Sequence, residues 1–164
     1  MRPTRFVDHL LALVRADAQP TDARTFTDCG YTAAPYGLVL RLPTGALVYW
    51  QTVATAWPGD DYAKPEQPAH GPPPPPLSMP TLPTTGMTRM VQVERYAGAL
   101  LSAGDTEVKA VELYADKPTP GAIPYGLNVR FHSGSVIYLY ARHALPAGHE
   151  LRGGEGPFRR RDAI

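Results

Sequence analysis

The chain has 164 residues, with 19 prolines, 15 glycines and one cysteine. Its formal net charge of +1 excludes capture of nucleic acid by bulk positive charge. Lone Cys29 excludes an intrachain disulfide and a multi-cysteine zinc site. No apolar run reaches the length of a membrane span, so the expectation is a cytoplasmic protein with no membrane partner.

Residues 4–16 are predicted to form a helix. Phe6, Val7, Leu10, Leu11, Leu13 and Val14 fall mostly on the i, i+3, i+4, i+7 pattern. Thr4 is the expected N-cap with Pro3 just outside, Arg15 suits the negative helix end, and Gln19-Pro20 stops the run. A strand is expected over Arg24 to Tyr31, although its alternation is poor.

Pro35-Tyr36-Gly37 then opens a hairpin, with strands over Leu38 to Leu42 and Ala46 to Val53. Pro43 suits the first turn position and Gly45 the left-handed one, which gives a turn ending in a G1 bulge. That register places Leu38, Leu40, Leu42, Ala46, Val48 and Trp50 on one face, the core face. The opposite face carries Val39, Arg41, Leu47, Tyr49 and Gln51. A two-residue turn would shift the second strand by one and mix Trp50 with Arg41.

From Trp57 to Gly86 the chain reads as a linker. Ten of the 19 prolines fall between Pro58 and Pro83, five of them consecutive from Pro72 to Pro76. Such a stretch favours extended polyproline II and cannot join a sheet ladder. It reads first as a stiff spacer and, in the alternative, as a docking site for a proline-reading domain.

The elements then recur. Residues 90–103 carry a helical stripe of Val93, Tyr96, Ala97, Leu100 and Leu101, with Gly104 suited to the position after the helix. A strand is expected over Glu107 to Tyr114. Pro124-Tyr125-Gly126 opens a second hairpin, with strands over Leu127 to Phe131 and Ser135 to Arg142. Residues 124–138 match residues 35–49 at a constant offset of 89 without a gap. Pro35, Tyr36, Gly37, Leu38, Arg41, Gly45 and Tyr49 return as Pro124, Tyr125, Gly126, Leu127, Arg130, Gly134 and Tyr138. The second core face is Leu127, Val129, Phe131, Ser135, Ile137 and Leu139. The second outer face is Asn128, Arg130, Val136, Tyr138 and Tyr140.

The expected architecture is α+β. Two internally duplicated units, each a helix on a three-stranded antiparallel meander, are related by a pseudo-two-fold axis and joined by the proline-rich linker. The boundaries are 1–57 for the first unit, 58–86 for the linker, 87–152 for the second unit and 153–164 for a flexible basic tail containing Arg159-Arg160-Arg161.

Catalytic motifs are sparse. There is no HExxH, no GxSxG elbow and no P-loop ending. Cys29 has nothing beside it in sequence to make it reactive. His143, His149 and Glu150 follow the last strand and would approach His132 only if that segment folded back, so no metal or cofactor is expected. The candidate partner-binding residues are Arg41, Tyr49, Arg130, Tyr138 and Tyr140. Arg and Tyr are the side chains that tend to anchor interfaces, and Arg41 with Tyr49, like Arg130 with Tyr138, lies diagonally across a hairpin. The expected function is a non-enzymatic regulatory protein acting through a protein partner, which includes a second copy of the chain as a homodimer. The first alternative is a nucleic-acid-binding regulator using Arg41, Arg130, Arg142 and the tail on phosphates. The second is a small enzyme with a site between the halves.

Overall fold

The computed structural model describes residues 1–119, 121–151 and 161–164. Helix α1 spans Pro3–Asp17 and buries Phe6, Val7, Leu10, Leu11 and Val14. Its N-cap is Arg2, with extended backbone and no side-chain cap, and Pro3 is the first helical residue rather than lying outside. A proline there sacrifices only an N–H that the first turn leaves unpaired, and its φ already suits the helix. Ala18 closes the helix in the left-handed conformation at φ 60, with its N–H donating to the Val14 carbonyl. Helix α2, Met90–Ser102, buries Met90, Val93, Tyr96, Ala97, Leu100 and Leu101. The Gln92 side chain accepts from the Arg89 N–H at 3.2 Å.

Among the described residues there are six strands, three after each helix: β1 (Asp22–Thr25), β2 (Gly37–Arg41), β3 (Leu47–Thr55), β4 (Val108–Leu113), β5 (Gly126–Phe131) and β6 (Val136–Leu145). The strand expected over residues 24–31 ends instead at Thr25. Asp28 N–H donates to Thr25 Oγ1 at 3.1 Å and Thr25 N–H donates to Asp28 Oδ2 at 3.3 Å. Phe26 N–H still donates to the Gly37 carbonyl at 2.9 Å, and the reciprocal pair then turns the chain and lifts Thr27 to Tyr31 off the ladder.

The strands form one antiparallel sheet in the order β1-β2-β3-β6-β5-β4. In each half a helix precedes a three-strand meander, and the two meanders meet edge to edge through β3 and β6. Left apart, these two long strands would each present an unpaired edge.

Both hairpins turn as their glycines require. Gly45 and Gly134 have φ of 84 and 88. Leu42 N–H donates to the Ala46 carbonyl at 2.8 Å, and Phe131 N–H to the Ser135 carbonyl at 3.0 Å. The β2–β3 ladder runs from Gly37↔Gln51 to Arg41↔Leu47, and the β5–β6 ladder from Gly126↔Tyr140 to Arg130↔Val136. At the central seam Gln51 faces Tyr140, which lies 89 residues on in sequence, while Trp50 faces Ala141 and Thr52 faces Leu139. Past this point a bulge at Arg142 moves Tyr49 opposite His143.

The glycine of each Pro-Tyr-Gly is needed for close approach. A Cβ on Gly37 would lie 2.2 Å from the Trp50 carbonyl oxygen, and one on Gly126 would lie 2.5 Å from that of Leu139.

Both helices lie on one face of the sheet over one continuous core. That core joins Phe6, Leu10, Leu38, Leu40, Trp50, Val93, Leu101, Leu127, Val129, Phe131, Ile137 and Leu139. The segment between the halves is held to the body from α1. The Arg5 guanidinium bonds Glu66 at 2.8 Å and Glu107 at 2.7 Å, so one cation ties the first helix, the proline-rich stretch and the start of β4. This pairing holds the Glu66 carboxyl down at about 2 and lowers that of Glu107. Residues 152–160, which take in the last residue of the expected second unit and most of the expected tail with Arg159 and Arg160, lie outside the described residues. Residues 161–164 return to the fold: Arg89 and Ala163 form a β-bridge, Ile164 is buried, and Tyr125 Oη donates to Asp162 at 2.8 Å.

Candidate functional site

The sheet face away from the helices divides into two unlike halves. In the first, the chain that leaves β1 folds back over the sheet. Phe26, Tyr31 and Ala34 bury Val39, Leu47 and Tyr49 beneath them. The ring centroids of Phe26 and Tyr31 are 4.5 Å apart, and those of Tyr31 and Tyr49 are 5.3 Å apart. Tyr31 Oη and His143 Nε2 share a buried hydrogen bond of 2.9 Å. Tyr49 is only 5% exposed and burial pushes its pKa up, so it serves as a packing residue of this small second core.

In the second half the corresponding stretch after β4 is Ala115-Asp116-Lys117-Pro118-Thr119. It holds no aromatic ring and is exposed. Among the described residues no comparable fold-back lies over the sheet beside it. Tyr138 and Tyr140, two residues apart on β6, project to the same side, with rings nearly parallel at 12° and centroids 6.1 Å apart. Tyr114, just past β4, adds a third ring with its centroid 6.0 Å from that of Tyr140. Burial and the neighbouring Tyr140 hydroxyl raise the Tyr114 pKa, which keeps it a neutral donor. Lys117 sits over the Tyr114 ring at 3.7 Å. Val53, 37% exposed, faces Tyr138 across the seam.

The arginines of this side are set by carboxylate and amide partners. Arg130 pairs with Glu112 at 2.9 Å, and Asn128 Nδ2 donates to the other oxygen of Glu112 at 3.1 Å. Arg142 Nη1 donates to Gln51 Oε1 at 2.8 Å. Arg41 stands at the edge of the covered half, paired with Glu150 at 2.9 Å. Both arginines keep the diagonal positions relative to Tyr49 and Tyr138. Among the described residues, however, the cations seated on tyrosine rings are Lys117 over Tyr114 and Arg2 over Tyr62. Of the five residues singled out in the sequence, Tyr138, Tyr140 and Arg130 come together on the open face; Arg41 and Tyr49 do not join them.

A buried carboxylate that the sequence did not suggest shapes this region. Glu94 of α2 is fully buried. Its oxygens accept from the backbone N–H groups of Tyr114, Ala115 and Gly126, at 2.9, 3.1 and 2.8 Å respectively. Burial outweighs these bonds and raises its pKa. The helix thus holds the strand end that carries Tyr114 and the glycine that opens β5.

A cavity of about 490 Å³ lies elsewhere, among Trp57, Tyr62, Glu66, His132, Ser133 and Ser135. Its carboxylates are engaged: Asp60 pairs with Arg2 at 2.9 Å and Glu66 with Arg5. Among the described residues no group of three His, Cys, Asp or Glu side chains is placed to hold a metal ion. His132 bonds the Pro72 carbonyl, His143 bonds Tyr31, and His149 bonds the Ala147 carbonyl. No helix among the described residues is long and apolar enough to cross a membrane. The chain matches no protein family, no curated protein and no solved structure.

Proposed function

We propose that this chain is a non-enzymatic cytoplasmic binding protein whose protein partner seats on the tyrosine face of the second half. The observation that carries this reading is the contrast between the two outer faces. One is roofed by Phe26 and Tyr31, and on the other Tyr114, Tyr138 and Tyr140 are half-buried with no such roof among the described residues. Tyrosine offers large contact area with little rotamer entropy to lose, which suits it to anchor an interface. Arg130 is charge-paired with Glu112, which reduces its draw on a phosphate backbone, and Arg142 is oriented as a donor by Gln51. This favours a protein over a nucleic acid.

The same reading takes the two halves as copies of one helix-and-three-strand unit. The matching antiparallel ladders, the pairing of Gln51 with Tyr140 and the matching Gly37 and Gly126 support it. Copying would have supplied two equivalent sheet faces, of which one was roofed for stability and the other left for binding.

The test is affinity capture on the immobilised chain, compared with a Tyr138→Ser, Tyr140→Ser variant and with Arg41→Ala. The expected result is a protein retained by the wild type and by Arg41→Ala, lost by the double tyrosine variant and unaffected by nuclease. Nuclease-sensitive material whose retention falls steeply with salt would instead establish the nucleic-acid alternative. Equal retention by all three proteins would remove the tyrosine face from the account.

A further inference from the structure

Between residues 71 and 80 burial repeats every third residue. Gly71, Leu77 and Pro80 are half-buried and Pro74 is buried, whereas Pro72, Pro73, Pro75, Pro76, Ser78 and Met79 are exposed. A repeat of three belongs to a polyproline II helix, and neither an α-helix nor a strand produces it. One ridge of this segment faces the body and two face outward.

The inward ridge is fastened at both ends. Gly71 N–H donates to the Thr106 carbonyl at 2.8 Å. His132 Nε2 bonds the Pro72 carbonyl at 3.0 Å, and Leu77 N–H donates to Ser102 Oγ at 2.9 Å. Two glycines make room for it. A Cβ on Gly71 would lie 2.4 Å from the His132 ring, and one on Gly98 of α2 would lie 3.1 Å from Leu77 Cδ1. Between the fastenings, residues 72–76 carry no N–H at all, so their rings and carbonyls are the only recognition groups the ridge offers.

We propose that Pro72–Pro73 and Pro75–Pro76 form a preformed ligand for a partner domain whose groove is lined with aromatic rings. Grooves of that chemistry receive successive proline-containing dipeptides from a polyproline II helix. The two ridges they would grip are the two left exposed here. A free proline-rich peptide loses some conformational freedom on docking, and the fastenings at residues 71 and 77 have already removed it. This surface is built on different residues from the tyrosine face, so the two sites stand or fall separately.

The experiment titrates the full chain into two isotopically labelled probes, a WW domain and an SH3 domain, and follows the indole signal of the groove tryptophan in each. The comparison protein carries Pro72→Ala, Pro73→Ala, Pro75→Ala and Pro76→Ala. All four positions are exposed, and circular dichroism checks that the variant keeps its fold. The expected result is saturable binding by at least one probe with Kd below about 1 mM, weakened at least about tenfold in the variant. The full chain should also bind more tightly than a free peptide of residues 68–80. No shift with either probe at about 1 mM chain would overturn the proposal. So would equal binding by the variant, or a peptide that binds as tightly as the full chain or more tightly.

Discussion

Replacing Glu94 with Ala tests the strut beneath the open face. Three backbone N–H groups converge on this carboxylate. Tyr114 N–H also donates to the Gly126 carbonyl at 2.9 Å and so keeps a partner. Ala115 and Gly126 lose theirs. The Gly126 amide is buried, and orphaning it costs about 1–3 kcal/mol, whereas Ala115 lies in an exposed stretch and its amide turns to water at little cost. Relief from burying a carboxylate whose pKa is already raised offsets part of this. The expected net loss is about 1–2 kcal/mol, which at a urea m-value of about 2 kcal/mol/M for a chain of this size moves the midpoint down by roughly 0.5–1 M. Trp50, fully buried in the central seam, reports the transition by its fluorescence. Hydrogen exchange should show the Ala115 and Gly126 amides losing protection first, before the β2–β3 ladder. A midpoint shift below about 0.3 M, or unchanged exchange at these two amides, would refute the role given to Glu94.

Further outcomes follow from the same geometry. Replacing Arg5 with Met should cost about 1–2 kcal/mol at pH 7, between the values for exposed and buried pairs, because the guanidinium is 36% exposed. Since Arg5 lowers the pKa of both Glu66 and Glu107, the stability these carboxylates contribute is present above their unfolded value of about 4.3 and is lost as pH falls toward about 2. Acid titration of stability should therefore be shallower in the Arg5→Met protein over that window. Gly37→Ala and Gly126→Ala should each destabilise by about 2–4 kcal/mol by thermal melting, because the added methyl meets a backbone carbonyl of the paired strand that has little room to move. A loss in one variant without the other would argue against equivalent Pro-Tyr-Gly devices in the two halves. Phe26→Ala should uncover Tyr49 and cost about 3–5 kcal/mol by urea unfolding, as other large-to-small changes at buried aromatic positions do.

What the sequence made legible was local. The helical stripes, both glycine turns and the division of each hairpin into a core and an outer face follow from spacing within about 15 residues, where side-chain period and turn chemistry act directly. The contacts that decide the site are not local. Tyr49 and Tyr138 occupy the same position in the repeat, and only the chain folding back from Phe26 to Tyr31 makes one a core residue and leaves the other half-exposed. The Thr25–Asp28 turn that begins this fold-back lies inside what reads as a strand. Glu94 lies among apolar helix residues like an ordinary solvated charge, and its partners are amides 20 to 32 residues away. Side-chain patterning carries no record of such backbone donors. The edge-to-edge pairing of β3 with β6 was equally hidden, since strand patterning specifies faces rather than which neighbour an edge will find.

The most direct measurement is tyrosine nitration of the folded chain, mapped by mass spectrometry. Tyr138 and Tyr140 should modify readily, while Tyr31 and Tyr49, each no more than 6% exposed, should stay unmodified until the chain unfolds. Modification of Tyr49 at the rate of Tyr138 would mean that both outer faces are open alike, and the asymmetry on which the binding role rests would be gone.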